Sequence, residues 1–139
     1  MKKSVILFFA TILSINAFAQ ISFKEGYFID EAGSKTTCLI KSLDWKNNPT
    51  EFEYKTSEDG EILVQTINTV SEFGIDNFSK YIKAEVEIDK SSEHATHLSN
   101  KMEPIFEQDT LFLKLIVEGK ANLYAYVQHN LAKYFYNND

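Results

Sequence analysis

The chain has 139 residues, of which 44% are hydrophobic and 14% aromatic, enough for one domain with a packed core. Its formal charge is −6, from 20 acidic residues against 14 basic ones, and every basic residue is a lysine. An acidic chain without arginine lacks both the phosphate-neutralising charge and the planar fork that reads guanine, which excludes nucleic acid as the expected partner.

Lys2 and Lys3 precede the apolar run Val5–Leu13, and Ala17-Phe18-Ala19 follows as a small-x-small site. That order is the order of a secretory signal, cleaved after Ala19 to leave Gln20 first. The apolar run is too short to span a bilayer as a helix. Loss of Lys2 and Lys3 makes the remaining chain more acidic by two charges. Export brings oxidising surroundings, but Cys38 is the sole cysteine, so no internal disulfide can form. Between Thr37 and Leu39 it reads as a buried, inert thiol.

From Gln20 to Asp139 the pattern is that of one β-rich domain. Gly26–Asp30 and Lys35–Ile40 flank Glu31-Ala-Gly33-Ser34, a hairpin with Gly33 as the residue at positive φ. Asp30 and Glu31 read as turn acids, because the ligand spacing of a calcium loop is missing. Lys46-Asn-Asn-Pro49 is a loop by composition. Phe52–Thr56 and Ile62–Ile67 flank Asp59-Gly60, a second hairpin signal. Thr69 and Glu72 have the spacing of a capping box with Gly74 placed to end one helical turn; a bent strand fits the same residues.

Tyr81–Asp89 alternates: Ile82, Ala84, Val86 and Ile88 face one way, and Tyr81, Lys83, Glu85, Glu87 and Asp89 the other. This is a strand with one buried and one solvated face. A polar, flexible loop is expected over about residues 90–109. His94 and His97 lie in it near Glu93 and Glu103, a weak metal pattern that reads better as solvent-exposed histidines.

The C-terminal third is the strongest strand signal. Leu111–Val117 and Ala121–Val127 flank Glu118-Gly-Lys120, and Leu131–Tyr136 continues the meander after Gln128-His-Asn130. An odd loop pairs odd positions with odd ones. One face then holds Leu111, Leu113, Leu115, Val117, Leu123, Ala125 and Val127; the other holds Phe112, Lys114, Ile116, Tyr124 and Tyr126. The expected contact surface is the tyrosine-bearing face: Phe112, Lys114, Tyr124 and Tyr126.

Together these elements predict a mainly-β fold: antiparallel hairpins in seven or eight strands forming a curled sheet or small barrel, with at most one or two short helical turns. No P-loop, dinucleotide fingerprint, nucleophile elbow, H-E-x-x-H or C-x-x-C occurs, so neither a catalytic residue nor a cofactor or metal site is expected.

Ile21–Phe23, Gly26–Ile29, Cys38–Ile40, Asp44–Pro49, Glu51–Tyr54, Glu72–Ile75, Phe112–Lys114, Val117–Ala121 and Tyr134–Tyr136 together resemble a group of exported β-rich proteins of flavobacteria and their relatives. The resemblance implies export and a place in the periplasm or at the outer membrane, and it brings no catalytic residues. Similar proteins often run longer, some into an outer-membrane β-barrel, and the resemblance implies a short version or a truncated frame as the two expectations for this chain. Some carry a label of tRNA-modification GTPase, which the missing P-loop and the export signal oppose. The expectation is an envelope module that binds an envelope protein or surface and leans away from catalysis. The alternative is a small-ligand or hydrolytic site in a barrel-like cavity, using acids such as Glu85 and Glu87.

Overall fold

The computed structural model describes residues 22–43, 45–89 and 105–138. These residues form nine strands and no helix: β1 Phe23–Asp30, β2 Lys35–Lys41, β3 Glu51–Lys55, β4 Leu63–Thr66, β5 Val70–Ile75, β6 Ser79–Asp89, β7 Phe106–Val117, β8 Ala121–Gln128 and β9 Leu131–Asn138. All pair antiparallel in one curled sheet of order β4-β3-β2-β1-β5-β6-β7-β8-β9. The one pairing that is not between sequence neighbours joins β5 to β1, so β1 is the pivot. The expected signal segment, His94 and His97 lie outside the described residues.

The turns follow local chemistry. Gly33 sits at φ 81°, where a side chain would be strained, and Asp30 Oδ1 accepts the backbone N–H groups of Ala32 (2.9 Å) and Ser34 (2.8 Å). Asp30 is thus a turn acid. At the β8–β9 turn, His129 (φ 50°) and Asn130 (φ 67°) both adopt the left-handed conformation of a two-residue hairpin loop whose twist matches its strands. The Thr69–Glu72 stretch takes the strand form. Thr69 Oγ1 donates back to Gln65 Oε1 at 2.7 Å and closes the β4–β5 turn, and the chain enters β5 at Val70 with no helical turn. The sheet pairing of β5 on both sides outweighs a single capping box.

The register assigns each side chain to a face, and the two halves of the sheet bury opposite faces. On the first face, Phe28, Ile40, Phe52, Tyr54, Val70, Phe73, Ile75, Tyr81 and Phe112 form one core together with Cys38, with Trp45 packed against it. Phe52 of β3 stacks on Phe73 of β5 at 4.2 Å although β2 and β1 lie between them in the sheet. Only a strong curl brings those rings together. Phe73 also stacks on Tyr81 (4.9 Å) and meets Phe112 edge-on (5.0 Å), while Trp45 stands edge-on to Phe73 and Tyr81. Each such ring pair adds roughly 0.5–1.5 kcal/mol beyond its area term.

On the opposite face of β6–β9 lies a second core of Ile88, Leu111, Leu113 and Tyr124, with Ile82, Ala84, Val86, Leu115, Tyr126 and Phe135 around it. Lys133 Nζ of β9 reaches back across two strands to donate to the Asp89 carbonyl at the end of β6. The sheet therefore curls one way around the aromatic core and the other way around the aliphatic one. β6 and β7 serve both. The aliphatic row of β6 lies where the alternation puts it, but Tyr81, expected on the solvated face, is only 2% exposed. That face is covered by the aromatic core at Tyr81 and open to water further along at Glu85 and Glu87. β7 likewise begins at Phe106, inside the stretch expected to be loop up to about residue 109. It pairs with β6 along its length from Phe106 to Lys114.

One loop residue ties the halves together. β7 and β8 pair only near their turn, from Lys114↔Ala125 to Val117↔Leu123, and separate beyond it. Asn48, from the β2–β3 loop, fills the fork. Its Nδ2 donates to the carbonyls of Phe112 (2.7 Å) and Ala125 (2.9 Å), and its Oδ1 accepts Val127 N–H (2.9 Å). Its own N–H donates to the Val127 carbonyl at 2.9 Å. The amide supplies the donors and acceptor that a missing strand would have supplied.

Candidate functional site

The four residues expected to share a contact face do not do so. Phe112 is 1% exposed inside the aromatic core, and Tyr124 is 9% exposed in the aliphatic core on the other side of the sheet. Tyr126 is half-buried against Tyr124's core, and half-buried Lys114 is on Phe112's face. The cause is a bulge. Beside the turn Val117 pairs with Leu123, odd with odd as expected, but the register shifts between Leu115 and Val117. Beyond it Leu115 faces Tyr124 and Lys114 faces Ala125, so odd positions of β7 share a face with even positions of β8. A one-residue slip moves every later side chain to the other face.

The register brings a different set together. Lys114, Ala125 and Tyr134 form one cross-strand row, and Val117, Leu123 and Tyr136 form the next, on the same face of β7–β9. Val117 is 53% exposed, Tyr134 64% and Tyr136 78%. The curl that buries the aliphatic core on one side leaves this side convex and open. Tyr134 and Tyr136 also stand on β9, which ends the sheet and has no described strand along its outer edge.

The electrostatics of this ribbon set it apart. No aspartate or glutamate occurs from Ala121 to Asn138, in a chain with 20 acids. Its lysine, Lys133, points to the other face and is held at the Asp89 carbonyl. The signal for this surface is present in the sequence, as eighteen residues without a carboxylate; its correct face is hidden by the bulge.

Elsewhere the described residues offer little chemistry. A shallow depression of about 300 Å³ beside the β5–β6 turn is lined by Tyr27, Asn77, Phe78, Lys80, Leu115 and Glu118, among others. Tyr27 donates its hydroxyl to Glu72 Oε1 at 2.6 Å, and Lys80 Nζ lies 3.5 Å from the same oxygen. Burial, and then the neighbouring Glu72, push the Tyr27 phenol far above its ordinary value, so it stays a neutral donor. Ser79 Oγ is buried there without a hydrogen-bond partner, and no histidine lines the depression to activate it. Glu85 and Glu87 are exposed along β6 and line no described pocket. Among the described residues no three His, Cys, Asp or Glu side chains converge as metal ligands. Cys38 is 4% exposed, and burial raises its thiol to about 11, which keeps it protonated and unreactive.

Among the described residues no helix is long and apolar enough to cross a membrane. Comparison with protein-family models, curated proteins and solved structures finds no match.

Proposed function

We propose that the chain is an exported module of the cell envelope, periplasmic or associated with the outer membrane, that works by contact with a protein partner and not by catalysis. The observation that carries this reading is the convex strip of Val117, Leu123, Tyr134 and Tyr136 beside the last strand of the described sheet, free of carboxylates in an otherwise acidic chain. Interface cores are depleted in charge and enriched in tyrosine, whose ring offers rigid area and whose hydroxyl tolerates water in the free state. Large apolar side chains clustered at a surface mark interaction sites. Export is supported by the three-part pattern of Met1–Ala19.

The test is fractionation of cells with an antibody to the protein, combined with photocrosslinking from two positions. A photoreactive side chain at Tyr136 should give discrete adducts in the envelope fraction, and the same group at Glu85 should give none. Recovery from the cytoplasm with Met1–Ala19 intact, or equal adducts from both positions, would remove the proposal.

A further inference from the structure

The proposed contact role leaves the partner open, and the edge of β9 narrows it. The geometry points to a second copy of this chain, paired antiparallel along β9 about a two-fold axis through Tyr134. This inference rests on the contact reading above and deepens it.

Backbone direction fixes which groups of β9 face outward. A two-residue loop is closed by its flanking pair, here Gln128↔Leu131, exchanging both hydrogen bonds. The N–H and C=O groups of Leu131, Lys133 and Phe135 therefore point inward to β8, and those of Ala132, Tyr134 and Tyr136 point outward. Two such edges placed antiparallel with Tyr134 opposite Tyr134 bring all three outward residues into hydrogen-bonded pairs. Ala132 then lies opposite Tyr136 of the other copy on both sides of the axis.

Side chains agree with that register. On the convex face the exposed Tyr134 rings meet at the axis, and exposed Ala132 leaves room for the Tyr136 ring across from it. On the other face Lys133 lies beside Phe135 of the second copy, its ammonium drawn back to Asp89 of its own chain. A small residue opposite a large one and a tyrosine pair are both favourable cross-strand neighbours.

Charge permits a second copy here. Copies of an acidic chain repel wherever carboxylates meet, and along Ala121–Asn138 two copies can approach without opposing them. The β4 edge lacks carboxylates too, so charge permits this pairing and length favours β9. A basic partner would find no carboxylate on this edge to pair with. Exposed edges are ordinarily guarded by an outward lysine, a proline, a bulge or a short length. β9 has eight residues, no proline, a regular register and its lysine turned away. The opposite edge, β4, is four residues long and is blunted by comparison.

The experiment is analytical ultracentrifugation of the purified protein over a hundredfold range of concentration, with photo-oxidative tyrosine crosslinking read by mass spectrometry. The expected result is a mass twice that of one chain and a crosslink joining two Tyr134 peptides, which can form only between copies. Tyr134→Lys sets two like charges at the axis and should weaken the dimer at least tenfold. Tyr134→Phe should keep the dimer and lose the crosslink. Glu85→Lys, on an exposed face away from the edge, should change neither. Circular dichroism and melting temperature verify that each variant folds. A monomer at every concentration overturns the dimer, as does a dimer that Tyr134→Lys leaves intact. If the monomer still gives discrete envelope adducts from position 136, the contact role survives with another protein on this edge. If it gives none, both readings fall.

Discussion

Asn48 shows how much a single side chain settles in this protein. Its amide donates to two strands and accepts from one of them, at distances of 2.7 to 2.9 Å, where β7 and β8 have parted. Asn48→Ala would remove three side-chain hydrogen bonds from a half-buried fork, at a cost of roughly 2–4 kcal/mol. Asn48→Asp is the sharper test. Its carboxylate would still accept Val127 N–H but would face the carbonyls of Phe112 and Ala125, which raises its pKa in the folded state. Stability should then be highest below the ordinary aspartate range near 4 and fall as pH rises through the shifted value. Denaturant titrations at pH 3.5 and pH 7 check this; a variant equally stable at both would contradict the assigned contacts. Nothing in Lys46-Asn-Asn-Pro49 beyond a loop composition foretold this role, because the partners lie 64 and 77 residues away.

Cys38 makes the second prediction at this scale. Its thiol is raised from about 9 to about 11, so between those values the unfolded chain has lost a proton that the native chain keeps. Stability contributed by this group is whole below pH 9 and declines as pH climbs toward 11. A thiol reagent should react slowly with the native protein at pH 8 and at once after unfolding. Rapid native reaction would show the site to be open. The burial of Cys38 was legible in the sequence, from its place between Thr37 and Leu39 in a strand.

At the scale of elements, the β7–β8 hairpin carries the main lesson. Its existence, its turn and its apolar content were legible, and so was the pairing next to the turn. The bulge was not. One extra residue between Leu115 and Val117 changes which side chains share a face, and no propensity distinguishes Ile116 from its neighbours. The proposal of Phe112 with Tyr124 on one surface failed for that reason. The bulge itself is testable. Deleting Ile116, which is 49% exposed, leaves Leu115 opposite Tyr124 and Val117 opposite Leu123 in a regular ladder. The change should cost on the order of 1 kcal/mol and leave the near-ultraviolet spectrum unchanged. Deleting Leu113, inside the regular ladder with β6, reverses the faces of one side of the strand and should abolish cooperative folding. If removal of Ile116 were as damaging as removal of Leu113, the register would be wrong.

A related limit applies to Tyr81. Period-two alternation reports two faces but not how many are buried. In β6 the answer changes along the strand, from the aromatic core at Tyr81 to water at Glu85. A local pattern cannot show that β3 curls over to stack Phe52 on Phe73.

At the scale of the whole molecule, the antiparallel, curled, mainly-β architecture followed from hairpin spacing and turn chemistry, and the structure has it as a nine-stranded sheet. What the sequence could not convey is that the curl reverses, with an aromatic core on one face and an aliphatic core on the other. That reversal gives the C-terminal ribbon its open convex side and leaves β9 at the edge with its tyrosines outward. The distribution of charge agrees with the shape: from Ala121 to Asn138 the ribbon that faces outward carries no carboxylate.

Site-resolved hydrogen exchange across β9 shows directly whether this edge is where the protein makes its contacts. In dilute protein the amides of Lys133 and Phe135, which bond to β8, should exchange slowly, and those of Ala132, Tyr134 and Tyr136 should exchange rapidly. At high concentration, or in the presence of envelope extract, the outward three should become protected as well. Outward amides that stay fast under every condition would contradict the claim and leave β9 an edge without a function.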